Sequence, residues 1–313
     1  MKGLELCERF YYEYGEPMLK EKFKDILGYI AVGLVGSGSE CFGYDDSLSQ
    51  DHDFEAGFCI FLPDESVVDS KVEFALERAY SKLPSEFMGV SRSKLNPAGG
   101  NRHGVIRMGE FFKSRTGSAD GVIATKDWFF LPEQALAEAT GGKIFFDGYG
   151  EFSKIRERLH YMPEDVRRKK LAGNLLMAVQ AGQYNYPRSI ARGESGAAQL
   201  AIYEFFKSAV CIIFLINRHY APYYKWSFRA LGELPVLSHL SSQLEYLISS
   251  DNSKGESVRK QSTISAICCE ILQQLRREFD PNATVTDLEG AAYAINDSIV
   301  DESIRNLNIL YAV

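Results

Sequence analysis

A chain of 313 residues, 45% apolar and 25% charged, is long for one hydrophobic core and comfortable for two. Its net charge of -7 argues against a dedicated nucleic-acid surface, which is ordinarily basic, and its six cysteines, two of them adjacent at Cys268-Cys269, show no CxxC spacing and suit reduced thiols rather than a disulfide or zinc framework. The charged opening MKGLELCERFYYEYGEPMLKEKF lacks the apolar centre of a signal peptide, and the most apolar run, Ala209 to Ile216, is too short to cross a bilayer, so a cytoplasmic protein without a membrane partner is expected.

Leu4 to Leu27 carries apolar residues at helical spacing with Glu and Lys between them, which predicts an amphipathic helix broken near Gly15-Glu16-Pro17. An apolar run, Ile30 to Val35, follows and stops at Gly36-Ser37-Gly38-Ser39. A polar loop then leads to Asp51-His52-Asp53-Phe54, where a second apolar run begins; both runs read as short buried strands. Side chains two apart on a strand point the same way, so Asp51 and Asp53 are expected to project together, roughly 7 Å apart at Cα. Two neighbouring carboxylates repel each other and gain most from a divalent cation between them. Mg²⁺ suits such a pair because it takes one or two carboxylates together with phosphate oxygens. Glycines ending the preceding strand let the backbone approach a triphosphate, with N–H groups of the turn that carries Gly36, Ser37 and Ser39 aimed at it.

Three other readings of this stretch compete. Gly36-x-Gly38 after a strand could open a dinucleotide-binding unit, but Cys41 stands where a third small residue is wanted, and Gly43, Asp45, Asp46 and Ser47 interrupt the helix that should follow. Asp45 to Asp53 lacks the sixth-position glycine and twelfth-position glutamate of a calcium loop. The third is a tight turn followed by a solvated acidic strand end.

Gly36-Ser37, a spacer and Asp51-x-Asp53 resemble the signature of the polymerase-beta-like nucleotidyltransferase superfamily, in which an hG[GS] turn precedes an [DE]h[DE]h strand. The resemblance implies that the turn holds the phosphates of a donor nucleoside triphosphate, with ATP as the expected donor, and that the two acids hold two Mg²⁺ ions.

Glu65 to Leu83 then reads as a helix, and Pro84 to Asn101 as a loop with Pro97-Ala98-Gly99-Gly100 at its tip. His103 to Met108 should be the third strand. The superfamily usually carries a third carboxylate there, whereas this chain has Ile106 with Arg107 beside it, leaving Glu110 at the strand's end as one candidate base and as an acid favoured by a helix start. Asp127 and Trp128 could cover an acceptor pocket or be core. A helix to Ala139 and a short edge strand within Gly141 to Asp147 close the αβ part near Gly150. The expected fold is therefore α+β: a nucleotidyltransferase-like catalytic domain over 1–150, with a small mixed sheet and helices, and an all-α helical bundle over 151–313.

In the bundle, Phe152 to Leu159, Pro163 to Ala181, Ala197 to His219, Ser227 to Ser249, Ser257 to Phe279 and Thr286 to Leu307 read as helices. Gln183-Tyr184-Asn185-Tyr186-Pro187-Arg188, with Arg192-Gly193-Glu194 behind it, places many hydrogen-bonding groups at an expected break between helices. They suit a small acceptor rich in hydroxyls or amines, with Glu194 as a second candidate base, or equally an interhelical salt-bridged joint. Asn217 to Trp226 carries Tyr223, Tyr224 and Lys225 on an aromatic-rich connection. Tyr-x-Lys-Trp-x-Phe-Arg followed by Leu-Pro resembles bacterial small-molecule nucleotidyltransferases of the aminoglycoside-resistance kind and, more closely, an uncharacterised family that couples this catalytic domain to such a bundle. By that resemblance Lys225 contacts the triphosphate and Glu194 the acceptor's amines; from their own chemistry the tyrosines, Tyr224 among them, could stack on the base or simply form an aromatic interface between helices. The activity implied is transfer of a nucleoside monophosphate to a hydroxyl or amine of a small molecule with release of pyrophosphate. The alternative is a catalytically weakened nucleotide-binding or antitoxin-like protein on the same fold, supported by Ile106. His52 and His219 read as structural, and the sequence does not specify an oligomeric state.

Overall fold

The computed structural model describes residues 1–48, 54–92, 103–279, 284–311 and 313, which form an α+β protein made of two compact units. The first comprises 1–123 and 131–160, the second 124–130 and 161–313.

The first unit opens with α1 (Gly3–Phe10), a π-helical turn (Tyr11–Gly15) and α2 (Glu16–Lys22) in unbroken succession. The break expected at Gly15-Glu16-Pro17 does not occur: Pro17 sits in the first turn of α2, where its missing N–H costs nothing, and the extra residue is absorbed by the π turn. After a 3₁₀ segment (Lys24–Tyr29) come β1 (Ala31–Leu34) and β2 (Cys59–Leu62), then α3 (Ser70–Tyr80), started at Ser70 by the Asp69 carboxylate accepting the Val72 N–H at 2.9 Å. A small hairpin, β3 (Glu86–Phe87) and β4 (Val90–Ser91), stands in the stretch read as loop. β5 (Gly104–Arg107) runs directly into α4 (Met108–Thr116), and α5 (Glu133–Thr140), β6 (Lys143–Asp147) and α6 (Glu151–Leu159) complete the unit.

The four-stranded sheet has the order β5-β2-β1-β6; β1 is antiparallel to both neighbours and β2 is parallel to β5. Alternation along the strands sends Ile30, Val32, Ile60 and Leu62 into a core with Leu6, Phe10 and Leu19 of the opening helices and Leu76 and Tyr80 of α3. Phe61 faces the other way. Its ring centroid lies 5.1 Å from Phe111 and 4.5 Å from Phe152, and Phe112 lies 4.8 Å from Phe152, so α4 and α6 cover the second face with an aromatic cluster. Because α6 buries Phe152, Ile155 and Leu159, it belongs with the sheet, and the first unit extends past Gly150 to His160.

The second unit is helical. It contains α7 (Glu164–Ala178), a π-helical turn (Val179–Asn185), α8 (Tyr186–Ala191), α9 (Ser195–Asn217), α10 (Ser227–Glu233), α11 (Ser241–Ser249), α12 (Lys254–Phe279), α13 (Leu288–Asp297) and α14 (Glu302–Arg305). The segment 124–130 is part of it: Trp128 is buried, and the rings of Phe129 and Phe130 lie 5.6 and 5.8 Å from Tyr311. The helix read over Ser227 to Ser249 is in fact two, because Pro235 and Leu237, the latter at φ 62°, cannot continue α10. α9 is longer than the apolar run at its centre. By length and composition alone it could cross a bilayer, and 56% of its most apolar stretch is buried inside the protein.

Buried cations tie this unit together. Arg167, fully buried, donates to Glu164 at 2.8 and 2.9 Å and also to Glu278, while Arg218 reaches Glu164 at 2.8 Å. Burial alone would raise the Glu164 pKa, but the hydrogen bonds from Arg167 and Arg218 outweigh it and hold the carboxyl at about 2. Lys169, equally buried, has no carboxylate partner among the described residues; its Nζ donates to Asn296 Oδ1 at 2.7 Å and to the carbonyls of Arg305 and Leu307 at 3.0 and 2.6 Å.

Candidate functional site

The turn after β1 is built around Gly36. Its φ of 113° lies where an L side chain is strained, and a Cβ there would meet Arg115 Nη2 at 3.2 Å and Phe111 Cε2 at 3.7 Å. The chain then coils tightly: Cys41 N–H donates to Gly38 O at 3.1 Å and Tyr44 N–H to Ser39 O at 2.7 Å. Among the described residues, the N–H groups of Gly36, Ser37, Gly38 and Ser39 donate to no protein acceptor, and neither do the hydroxyls of Ser37 and Ser39. Gly36 is buried, Ser37 is exposed and Gly38 and Ser39 are half-buried, so the run of unpaired donors leads from the protein interior out to solvent. Such a run of N–H groups is the arrangement that binds anions.

The remainder of the loop is fixed to the start of α1. Asp45 is buried, and its Oδ2 accepts the Gly3 N–H at 2.8 Å; Lys2 Nζ donates to the carbonyls of Gly43 and Asp45 at 3.0 and 2.5 Å. On the far side Gly142 N–H donates to Cys41 O at 3.1 Å, which joins the turn to the beginning of β6. The turn is thus braced from both directions, as a preformed ligand cradle needs to be.

Arg115, which sequence reasoning missed, lies beside it. Its guanidinium stacks on Phe111 at 4.0 Å and donates through Nη1 to Phe111 O at 3.0 Å, while Nε stands 3.6 Å from Glu138 Oε2, beyond hydrogen-bond range. Nε is buried without a hydrogen bond, and Nη2 makes none among the described residues. Burial lowers the Arg115 pKa and raises that of Glu138, and in each case the partner's charge works in the opposite direction. The signal for Arg115 was its spacing: it stands four residues after Phe111, on the same face of α4 as a ring packed under the sheet.

Asp51, His52 and Asp53 lie outside the described residues. The β2 ladder begins at Cys59, later than Phe54, because the chain bends at Ala56 and the Phe58 N–H is taken by the Tyr80 hydroxyl at 3.1 Å. Glu55 Oε1 lies 2.8 Å from Nδ1 of the buried His103, just ahead of β5. On β5 itself, Ile106 pairs with Phe61, and Arg107 is committed to Glu73 and to the carbonyls of Pro63 and Val68 at 2.8 and 2.7 Å. Glu110 is exposed in the first turn of α4, set roughly 140° around the helix from Arg115. Among the described residues, no group of three or more His, Cys, Asp or Glu could hold a metal ion.

The other predicted residues belong to the helical unit. Tyr224 and Lys225 are exposed on a 3₁₀ turn (Tyr224–Trp226); Lys225 Nζ and Arg229 Cζ each lie 5.0 Å from the Trp226 ring, and the Tyr223 and Tyr224 rings are 4.4 Å apart. Glu194 precedes α9 with an exposed side chain, its N–H donating to Ser189 O at 3.0 Å. The break between helices falls at Arg192 to Glu194. Gln183 to Arg188 is continuous helix, where Tyr184, Asn185 and Arg188 line a shallow recess of about 500 Å³ with Gln180 and Glu289. His219 Nδ1 lies 2.7 Å from Asn217 O within the same connection.

Residues 128–227, well under half of the chain, match a protein family described as a domain of unknown function (DUF4037). No curated protein matches the chain. Among solved structures it is similar to the crystal structure of a nucleotidyltransferase-like protein from Exiguobacterium sibiricum 255-15, at 12% identity, with 85% of this chain and 79% of that chain covered and a TM-score of 0.37.

Proposed function

We propose that this protein transfers a nucleoside monophosphate from a nucleoside triphosphate, ATP by preference, to a hydroxyl or amine of a small molecule, in a Mg²⁺-dependent reaction that releases pyrophosphate. The observation that carries the reading is the braced turn at Gly36 to Ser39, with four consecutive N–H groups that find no protein partner among the described residues, at the end of a core strand. A turn of that kind suits the triphosphate of the donor. Asp51 and Asp53, read from the sequence, are the residues that would hold two magnesium ions, which when bound polarise phosphoryl oxygens and offset charge on the leaving group. The protein's own share is to position: the turn is assigned the phosphates, and the sequence resemblance assigns a positive charge to Lys225, while the aromatic residues around it suggest Tyr224 as a ring for the base. Glu110 and Glu194 are the two exposed carboxylates assigned to the acceptor's proton.

A second reading has one specific observation behind it. β5 carries Ile106 where a third carboxylate would serve, and Arg107 is fully engaged with Glu73 and two carbonyls. A protein that binds nucleotide without turnover would fit that strand.

Thermal shift with ATP, CTP, GTP and UTP, each with and without Mg²⁺, followed by pyrophosphate release over a panel of aminated and hydroxylated acceptors, separates the two. Stabilisation with turnover supports transfer, and stabilisation without turnover on any acceptor supports the binder. No stabilisation by any nucleotide removes both. Asp53→Asn should abolish the Mg²⁺ dependence, and full activity in that variant would disprove the metal assignment.

A further inference from the structure

The phosphate cradle at Gly36 to Ser39 has donors but needs charge. A triphosphate brings several negative charges, and neutral N–H groups alone bind it more weakly than a charge-assisted pair does. The resemblance assigns the compensating cation to Lys225 of the helical unit. The first unit supplies one of its own.

We infer that Arg115 is a phosphate-binding residue of the Gly36–Ser39 turn, its Nη2 and the turn's N–H groups together forming one oxyanion site. The inference rests on the proposed nucleotide reading and adds to it a residue from α4. Three features support it. First, Nη2 is placed at the turn, 3.2 Å from where a Gly36 side chain would begin, so only glycine leaves the guanidinium and an incoming oxygen room at that point. Second, the guanidinium is held but not used up: Phe111 supports its face at 4.0 Å and Nη1 is bonded to Phe111 O and Ser114 Oγ at 3.0 and 3.1 Å, whereas Nε and Nη2 make no hydrogen bond among the described residues. Third, its carboxylate neighbour Glu138 lies at 3.6 Å, close enough to balance the charge without occupying the donors. An arginine whose only task were to join α4 to α5 would be expected to close that last gap with a bidentate pair, the geometry the guanidinium fork favours.

The chemical class of the ligand is a polyphosphate, and inorganic tripolyphosphate is the direct probe because it carries no base or sugar and needs no acceptor. Wild-type protein should be stabilised by tripolyphosphate in a thermal shift titration and should bind it by calorimetry. Arg115→Met should weaken that binding roughly tenfold or more, as expected for loss of a charged hydrogen-bond donor, and Arg115→Lys should recover only part of it because a lysine lacks the planar fork. Circular dichroism of the unliganded variants shows whether they fold. Should Arg115→Met fail to fold, Arg115→Lys and the wild-type protein decide the matter: phenylglyoxal labelling of Arg115, followed by mass spectrometry, should slow when tripolyphosphate is added. Lys225→Met is measured beside them. Unchanged tripolyphosphate affinity in folded Arg115 variants, or labelling of Arg115 at the same rate with and without tripolyphosphate, overturns the assignment while leaving the nucleotide reading intact. Failure of the wild-type protein to bind tripolyphosphate or any nucleoside triphosphate overturns both.

Discussion

Gly36→Ala tests the turn most directly. At φ 113° an alanine is held in a sparsely populated region at a cost of about 1–3 kcal/mol, and its Cβ, 3.2 Å from Arg115 Nη2, forces that side chain to give by a few tenths of an ångström. Gly232→Ala is the matched control. Gly232 lies in α10 with no positive φ, and a methyl group added there would meet no heavy atom within 4 Å, so alanine should stabilise by about 0.5–1 kcal/mol. The probe has to report on the correct unit, because both tryptophans, Trp128 and Trp226, belong to the helical one and their fluorescence does not follow the sheet. Native-state amide exchange on Val32, Leu34, Ile60 and Leu62 does follow it. Gly36→Ala should lower protection at those amides by roughly 5- to 140-fold, the equivalent of the strain energy, while Gly232→Ala leaves them unchanged. If Gly36→Ala protects the strands as well as the wild-type protein does, the turn is not a strained, preformed element, and its role as a ligand cradle fails with it.

Three further outcomes follow from the packing. Phe152→Ala removes the ring shared by Phe61, Phe111 and Phe112 and should cost about 3–5 kcal/mol, seen as loss of exchange protection in the sheet with tryptophan fluorescence retained. Lys169→Met takes the ammonium away from three half-buried oxygens, at ~1–3 kcal/mol for each that water cannot reach, and should lower the urea midpoint followed by Trp128 fluorescence. Glu164 has a folded pKa near 2 against an ordinary 4.5, so its contribution to the helical unit is fully present above pH 4.5 and is lost as pH falls toward 2; Glu164→Gln should flatten that limb of the acid-unfolding curve, and an unchanged curve would show that the Arg167 and Arg218 bonds add no stability.

The strands and the long helices were legible because their apolar spacing is strong and turn residues end them. β1 lies within Ile30 to Val35, β6 is an edge strand as read, and α9 follows its apolar stripe. The less visible features depend on tertiary contacts. The start of β2 is decided by the Tyr80 hydroxyl, which takes the Phe58 N–H, and nothing local to the apolar run announces it. The π turns at Tyr11–Gly15 and Val179–Asn185 leave a helical pattern almost unaltered while shifting which residues share a face. Pro235 did mark a helix end and α3 did carry a capping aspartate, so those two boundaries were present in the residues. Within the site, the glycine-serine turn was evident from composition. Arg115 was overlooked because its spacing from Phe111 places it on the inner face of a helix without showing that it meets the Gly36 turn.

Residues 124–130 belong with the helices although the chain on both sides of them belongs with the sheet. No single cut can therefore separate the protein into two whole pieces: severing after 123 strips the sheet of its edge strand β6 and of Phe152, and severing after 160 leaves the Trp128 segment attached to the wrong fragment. The same interlacing orders events during synthesis. Phe129 and Phe130 emerge from the ribosome well before Tyr311, the ring they flank, so this strip of the helical half stays unsealed until Tyr311 has been made.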